Sequence, residues 1–423
     1  MTTPKTGWRR YLSILGPGLI TGASDDDPSG ISTYSIAGAS TGYSMLWIVL
    51  LTTPMMAVIQ AMCARIALVT GANLATTMRQ LLPRWLLYVL GMSVIAANTI
   101  NAGADLEGMA AGAQLVFGLP RIAWVLLFGA MLIIIQVFFS YRLFGSIVKW
   151  LTLSLFAYVV TAFVVHAPWL LVLRHLFVPE LHFNAGWLTT LVAVLGTTIT
   201  PYLFFWQSAL EIENDVDAGQ LSQKSREGAT PTEIADMHTD VNIGMIFSNV
   251  VAFFIIVTTA ATLGAHSNHN IATAADAARA LVPFAGRFAS WLFALGMLGT
   301  GLLAVPALVA SSAYILTGSF GFRWGLGRTP WRAPQFYGTL VAGMIVAISM
   351  GLLNIDPIGA LFWCAVINGV VAVPILIVIV MLASNRRVMG NWTSSLVARI
   401  WGWMTVGAMT AAAVGMFAFW GKH

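Results

Sequence analysis

Three consecutive aspartates, at 25–27, lie inside a long apolar stretch that covers residues 11–39. An ionised carboxylate at the centre of a bilayer costs roughly 2.5–3.5 kcal/mol on insertion scales, so it persists only where a cation or water meets it. Pro28 and Gly30 follow directly, and both residue types weaken a helix. A helix broken here would leave backbone carbonyls free beside the carboxylates. The combination predicts an oxygen-rich cation site inside a membrane.

A second polar interval, Gly-Thr-Thr-Ile-Thr-Pro-Tyr at 196–202, interrupts another apolar stretch five predicted spans later. Because five is odd, the two halves of the chain would cross the membrane in opposite directions. Paired interruptions at corresponding places in two halves indicate a site at mid-membrane, between inverted repeats. The alternative is a pair of ordinary proline kinks, which are common in membrane helices. Kinks alone, however, give no reason for a carboxylate at the first break.

Asp27, directly before the first proline, is the main candidate for a ligand of the cation. Neighbouring side chains on a helix diverge by about 100°, so three consecutive aspartates cannot all face one pore. Asp25 and Asp26 are therefore predicted to line a wet vestibule or to bind a proton. Thr197 and Thr200 lie three residues apart and offer hydroxyl oxygens, together with the Thr197 carbonyl. The alternative is that these hydroxyls bond back to their own helix.

Four further polar residues interrupt apolar stretches. Asp105 and Glu107 lie in the third predicted span and are candidates for a vestibule or a proton path, since intramembrane carboxylates are functional hypotheses by default. Glu107 has the alternative of reaching the membrane interface. Asn249 and Asn368 are candidates for orienting a ligand in a second shell around the cation, although hydrogen bonding between helices explains them equally well.

The composition indicates the class of protein. The chain has 423 residues, of which 58% are hydrophobic and 9% are charged. Soluble domains carry about 25% charged residues, so a multi-pass membrane protein is predicted, with one transmembrane domain over 1–423. The formal charge of +5 is scattered along the chain, which argues against nucleic acid as a partner. The two cysteines lack a second cysteine or a histidine at ligand spacing, so neither a disulfide framework nor a zinc site is predicted.

Apolar stretches long enough to cross about 30 Å of hydrocarbon predict an all-α bundle in the lipid bilayer. Eleven such spans are predicted, at 12–39, 44–70, 85–113, 121–140, 144–166, 185–213, 239–263, 284–318, 335–353, 356–384 and 396–419. The longest polar interval, 214–240, is predicted as a loop. Most Lys and Arg residues fall on one side if the N-terminus is cytoplasmic, so the positive-inside rule predicts that orientation in the cytoplasmic membrane. The basic segment 1–10 is predicted to be a cytoplasmic tail.

The chain resembles the Nramp family of divalent-metal transporters in four segments. These are GPGLITGASDDDPSGISTYSIAGASTGYSMLWIVLL, GTTITPYLFFWQSA, LNIDPIGAL and NRRVMG, and the resemblance covers nearly the whole chain. It implies a LeuT-type fold of two inverted five-helix repeats, roughly 11–166 and 185–385, with discontinuous first and sixth helices and an additional helix at 396–419. The implied protein is a monomeric carrier working by alternating access. It has no cofactor and no enzyme activity, and its substrate is a divalent metal ion.

Both breaks depart from the pattern of that family, which carries Asp-Pro-Gly-Asn in the first break and Met-Pro-His in the second. Asp27 is kept, whereas Gly30 stands in place of the Asn. Thr200 replaces the Met and Tyr202 replaces the His, while Thr197 takes the position of the small residue that ligates through its carbonyl. These five positions contain the predicted metal ligands, Asp27, Gly30, Thr197 and Thr200, with Tyr202 assigned to the possible proton path.

The departures favour a hard cation. Loss of the thioether disfavours soft transition metals, and a roomier, all-oxygen site suits Mg²⁺, which keeps several waters when it binds. The chain is in this respect similar to the Nramp-related magnesium transporters, so Mg²⁺ is the expected substrate, together with Mn²⁺. Proton coupling is expected to be weak or absent, since Gly108 stands where the family has a second acid. The alternatives are a proton-coupled Mn²⁺/Fe²⁺ importer and a carrier of organic solutes on the same fold.

Overall fold

The computed structural model describes residues 15–138, 154–264, 271, 273–351, 353 and 356–419. Within these residues the chain forms helices joined by loops, without strands. The main helices are α1 (Pro17–Asp25), α2 (Pro28–Thr41), α3 (Leu46–Thr70), α4 (Arg84–Phe117), α5 (Arg121–Phe138), α6 (Phe156–Val164), α7 (Ala185–Thr198), α8 (Pro201–Asp217), α9 (Pro231–Thr262), α10 (Ala289–Phe320), α11 (Pro334–Gly351), α12 (Pro357–Ser384) and α13 (Leu396–Phe419). Short helices at Leu74–Leu81, Trp169–Phe177, Gln223–Arg226, Ala274–Arg279, Val282–Ala285 and Arg386–Met389 connect them.

Nine helical spans in the described part of the chain are long and apolar enough to cross a membrane. The first predicted span is present as two shorter helices, α1 and α2. The fifth predicted span, 144–166, and the predicted tail at 1–10 lie wholly or partly outside the described residues. The predicted loop at 214–240 is wrong over much of its length, because α8 continues to Asp217 and α9 begins at Pro231. A capping box between Thr230 and Glu233 starts α9.

Prolines define both helix breaks. Pro28 is the first residue of α2 and Pro201 is the first residue of α8. Proline is tolerated at this position, because the first N–H groups of a helix have no partner within the helix. Each break therefore places the C-terminal end of one half-helix next to the N-terminal end of the next. In a membrane, such exposed backbone must lie within protein or line a wet cavity.

Glycines bring α1 close to α9. A Cβ atom on Gly22 would overlap the carbonyl of Gly244, and one on Gly18 would lie 2.5 Å from the Val241 nitrogen. Small residues let helix backbones approach closely in membranes, where van der Waals packing drives association. The same interface carries a polar anchor, because the carboxylate of Asp240 accepts hydrogen bonds from amides in the first turn of α1. These amides belong to Gly16 (2.9 Å), Gly18 (2.6 Å) and Leu19 (3.1 Å).

A second glycine contact fixes the other broken helix. A Cβ atom on Gly196 of α7 would overlap the Ala365 carbonyl and the Gly369 backbone of α12. The long helices α4 and α10 pack against each other along their length, and α4 also contacts α11 and α12. The side of α4 at Gly108 touches the first break, since a Cβ atom there would lie 3.3 Å from the Cβ of Pro28. The packing thus brings α4 and both breaks into one region.

Candidate cation site

The first break exposes backbone around Asp27. Helix α1 ends at Asp25, Asp26 follows as its C-cap, and Asp27 is the N-cap of α2 in an extended conformation (φ −70°, ψ 171°). Oδ1 of Asp27 accepts hydrogen bonds from the Gly30 amide (2.7 Å) and the Ser29 hydroxyl (2.9 Å). A carboxylate in this position also gains from the dipole of α2. The break thus holds one carboxylate oxygen rigidly and orients the other.

Oδ2 of Asp27 is held by a weaker hydrogen bond than Oδ1. It accepts a long hydrogen bond from Nδ2 of Asn101 on α4, at 3.4 Å. Asp27 is buried, and a buried carboxylate needs paired charge or strong hydrogen bonds to stay ionised. A cation beside Oδ2 would supply that charge. Asn101 was not among the predicted site residues, although its position four residues before Asp105 places both on one face of α4.

The second break presents hydroxyls that lack partners. Thr200 is the N-cap of α8, but its side chain makes no capping hydrogen bond. The hydroxyl oxygens of Thr197 and Thr200 are both buried without a hydrogen-bond partner among the described residues. An unsatisfied buried polar group costs about 1–3 kcal/mol. In addition, Pro201 has no N–H, so the Thr197 carbonyl, four residues earlier, lacks its usual helical donor.

The two breaks face each other across Gly30. A Cβ atom on Gly30 would lie 3.3 Å from Oγ1 of Thr197, 3.4 Å from the carbonyl oxygen of Asp25 and 3.5 Å from Oδ1 of Asp27. A hydroxyl, a carbonyl and a carboxylate oxygen therefore surround the space that a larger side chain would fill. Neutral and anionic oxygens of this kind are the ligands that hard cations prefer.

Asp25 and Asp26 are buried and face α9. The Ser248 hydroxyl lies 2.5 Å from Oδ2 of Asp25 and 3.2 Å from Oδ1 of Asp26. Each side chain is 1% exposed. In this conformation the close α1–α9 packing at Gly22 keeps both residues buried. Their assignment to a vestibule or a proton path stays a prediction.

The two acids of α4 separate into different environments. Asp105 is buried, and neither of its carboxylate oxygens has a hydrogen-bond partner among the described residues. It lies on the face of α4 that carries Asn101 and meets the first break. Glu107, two residues later, forms an ion pair with Arg121 at 2.8 Å. Residues two apart on a helix diverge by about 200°, which explains why Glu107 points to the start of α5 and away from Asp27.

Tyr202 connects the two breaks. Its hydroxyl donates a hydrogen bond of 2.5 Å to the carbonyl of Ser24, in the last turn of α1. The backbone carbonyl of Tyr202 accepts a hydrogen bond of 3.0 Å from the Ser311 hydroxyl. The side chain assigned to a proton path therefore satisfies a free carbonyl at the end of α1 and ties α8 to it.

The two asparagines that were predicted to orient a ligand of the cation have different hydrogen-bond partners. Oδ1 of Asn249 accepts from Thr52 at 3.1 Å, and its amide donates to the Met245 carbonyl at 3.0 Å. Asn249 therefore joins α3 to α9, and neither of these hydrogen bonds involves a predicted ligand. Asn368 is buried on α12, and its Oδ1 has no partner among the described residues.

Cys364 is buried on α12, a helix that packs against both α2 and α4. It lies four residues before Asn368, so both share one face of α12.

Comparison with known proteins places this geometry in a family. The sequence profile described as Nramp, natural resistance-associated macrophage protein-like, matches residues 18–418. The divalent metal cation transporter MntH of Deinococcus radiodurans is 27% identical over 430 residues, covering 99% of this chain and 92% of that protein. The protein of the same name from Yersinia enterocolitica is 28% identical, covering 96% and 94%.

The fold has solved counterparts. The crystal structure of the Eremococcus coleocola manganese transporter, in complex with an aromatic bis-isothiourea substituted compound, superposes with a TM-score of 0.77 at 20% identity. That superposition covers 100% of this chain and 91% of the other. The predicted all-α, LeuT-type membrane fold is confirmed. The chain belongs to the Nramp family of divalent-metal transporters.

Proposed function

We propose that this protein carries Mg²⁺, and with it Mn²⁺, across the cytoplasmic membrane by alternating access, with weak or no proton coupling. The observation that carries the proposal is the pair of hydroxyls of Thr197 and Thr200, both buried without a hydrogen-bond partner among the described residues, at the break that faces Asp27 across Gly30. A hydroxyl-lined site of this kind favours a hard cation over a soft one.

Space at Gly30 supports a hydrated ion. Mg²⁺ binds at about 2.0–2.1 Å from its ligands and dehydrates reluctantly, so it usually keeps several waters. Three oxygens surround the position that a Cβ atom on Gly30 would occupy, and the glycine places no side chain between them. We infer that Oδ2 of Asp27, the Thr197 carbonyl and the Thr200 hydroxyl contact the ion, with water completing its shell.

The proposal of weak proton coupling has two supports. The Tyr202 hydroxyl is engaged with the Ser24 carbonyl, and a phenol with an ordinary pKa of about 10 holds its proton at neutral pH. At Gly108, no acid is available one turn after Asp105. The space there is occupied, since a Cβ atom would lie 2.8 Å from Met297 and 3.0 Å from Leu361.

The same proposal includes the arrangement in the membrane. The N-terminus lies in the cytoplasm and the chain acts as a monomer with a single transmembrane domain. Its inverted repeats cover roughly 11–166 and 185–385, followed by the helix at 396–419. An ion bound between the two breaks would contact both repeats, which is the geometry that alternating access requires.

Uptake into proteoliposomes tests the proposal. A Mg²⁺ indicator and a pH indicator in the lumen should report Mg²⁺ entry without stoichiometric acidification. Asp27→Asn should reduce the flux at least tenfold, because it removes the charge that pairs with the cation. Glu227→Gln is a matched control, since that carboxylate is exposed, and should leave the flux unchanged. Absence of flux, or equal flux in Asp27→Asn, would refute the proposed site.

A proton-coupled Mn²⁺/Fe²⁺ importer is the second candidate function. Membership of the Nramp family, with relatives described as divalent metal cation transporters, is compatible with it. Acidification of the lumen in step with Mn²⁺ entry would support this alternative. Mg²⁺ entry that leaves the lumen pH unchanged would decide against it.

A further inference from the structure

The region around the first break contains more buried acid than one divalent cation neutralises. Asp25, Asp26, Asp27 and Asp105 are all buried. Among the described residues, no Lys, Arg or His forms an ion pair with any of them. A divalent cation at Asp27 would cancel two negative charges. Ionised carboxylates left without a partner in such surroundings are costly, so the remaining pair must bind either protons or a cation of its own.

Asp25 and Asp26 share one donor. The Ser248 hydroxyl is within hydrogen-bond distance of both carboxylates, at 2.5 Å and 3.2 Å. A hydroxyl carries a single proton, so it satisfies one carboxylate oxygen fully at any time. Oδ1 of Asp25 and Oδ2 of Asp26 are buried, and neither has a hydrogen-bond partner in the part of the chain that the structure describes. The carboxylates of Asp25 and Asp26 therefore lack both a neutralising positive charge and sufficient hydrogen-bond donors.

Two further buried hydroxyl groups lie on α1 and α2. The hydroxyl of Thr21 is fully buried without a partner among the described residues, one turn before Asp25 on the same face of α1. On α2, Tyr34 pairs with Thr198 at 2.9 Å, while the Thr198 hydroxyl donates to the Val194 carbonyl at 2.8 Å.

The number of protons available decides which hydroxyl donates in the hydrogen bond between Tyr34 and Thr198. Because the single proton of Thr198 goes to a carbonyl, the Tyr34 hydroxyl must be the donor between the two. Its lone pairs therefore stay available as acceptors.

We propose that Asp25 and Asp26 bind a second divalent cation, with the hydroxyls of Ser248 and Thr21 as further ligands. The site deepens the proposed function and rests on it for the choice of a hard divalent ion, of which Mg²⁺ and Mn²⁺ are the probes. Ser248 belongs to α9, so this cation joins α1 to α9 at the end of their glycine-mediated contact. Occupancy of the site stabilises the packed position of α1.

The number of Mn²⁺ ions bound tests this proposal directly. Equilibrium dialysis of the purified full chain in detergent should give two Mn²⁺ per wild-type molecule. The electron paramagnetic resonance spectrum should show dipolar broadening, because neighbouring residues of the first break bind the two ions. The double variant Asp25→Asn/Asp26→Asn should bind one Mn²⁺ with a narrow spectrum, as should Asp27→Asn. Glu227→Gln should bind two, and Mg²⁺ should displace both ions from the wild type.

The outcomes separate this site from the proposed function. One Mn²⁺ in the wild type, unchanged by Asp25→Asn/Asp26→Asn, would overturn the second site while leaving the transport proposal intact; protons would then neutralise the pair. Two Mn²⁺ in the double variant would also overturn it. No bound Mn²⁺ and no uptake in the wild type would refute both proposals. A wild-type count of one Mn²⁺ would overturn the second site even if the double variant fails to fold.

Discussion

Asp240 should act as the anchor that keeps α1 packed against α9. Its carboxylate accepts three amide hydrogen bonds from the first turn of α1, at 2.9, 2.6 and 3.1 Å. These amides have no partner within the helix. Asp240→Asn keeps the shape and one acceptor oxygen, but it removes the negative charge from the N-terminal end of α1.

The magnitude follows from these contacts. A charge at a helix terminus is worth about 0.3–1 kcal/mol at the surface and up to about 2 kcal/mol when partly buried. A hydrogen bond to a charged group contributes about 1.5–3 kcal/mol. The two contributions overlap, because the charge strengthens the bond, so losing both weakens the attachment of α1 by about 2–3 kcal/mol. A change of about 2.8 kcal/mol corresponds to a hundredfold change in the equilibrium.

Thiol labelling measures that equilibrium. Ser24→Cys places a buried thiol in the last turn of α1, in a background where the two native cysteines, Cys63 and Cys364, are changed to Ala. If labelling requires transient release of α1, its rate follows the open population. Asp240→Asn should then raise the rate about 30- to 100-fold, whereas Glu227→Gln should leave it unchanged. An unchanged rate in Asp240→Asn would refute the anchoring role.

Three further substitutions have defined outcomes. Thr200→Met introduces a soft thioether and should raise the ratio of Mn²⁺ to Mg²⁺ affinity at least tenfold in calorimetric titrations; an unchanged ratio would place Thr200 away from the ion. Gly22→Ala overlaps a carbonyl of α9 and should destabilise the fold by about 1–3 kcal/mol, seen as a lower Tm, whereas Gly407→Ala meets no neighbouring atom and should not. Tyr202→Phe leaves a buried carbonyl unpaired, so a loss of about 1–3 kcal/mol is expected; an unchanged Tm would argue against this contact.

Local sequence was enough to predict the helices and their breaks. Lipid offers no partner for backbone N–H and C=O groups, so long apolar stretches must be helices. Pro28 and Pro201 cannot continue a helix without loss of a hydrogen bond, and both begin new helices. The start of α9 was also predictable, because Thr230 and Glu233 have the spacing of a capping box. The loop prediction there missed it by giving weight to polarity alone.

The partners of the acids depended on tertiary structure. Asp25 meets Ser248, 223 residues away, and Asp27 meets Asn101, 74 residues away. Glu107 and Asp105 differ by two residues, yet one pairs with Arg121 and the other faces the first break. Composition and proline positions determine where a membrane helix opens, since those effects act within a few residues. Which side chains meet in the opening is decided by how glycine contacts set the distance and rotation between helices, and a single sequence does not contain that information locally.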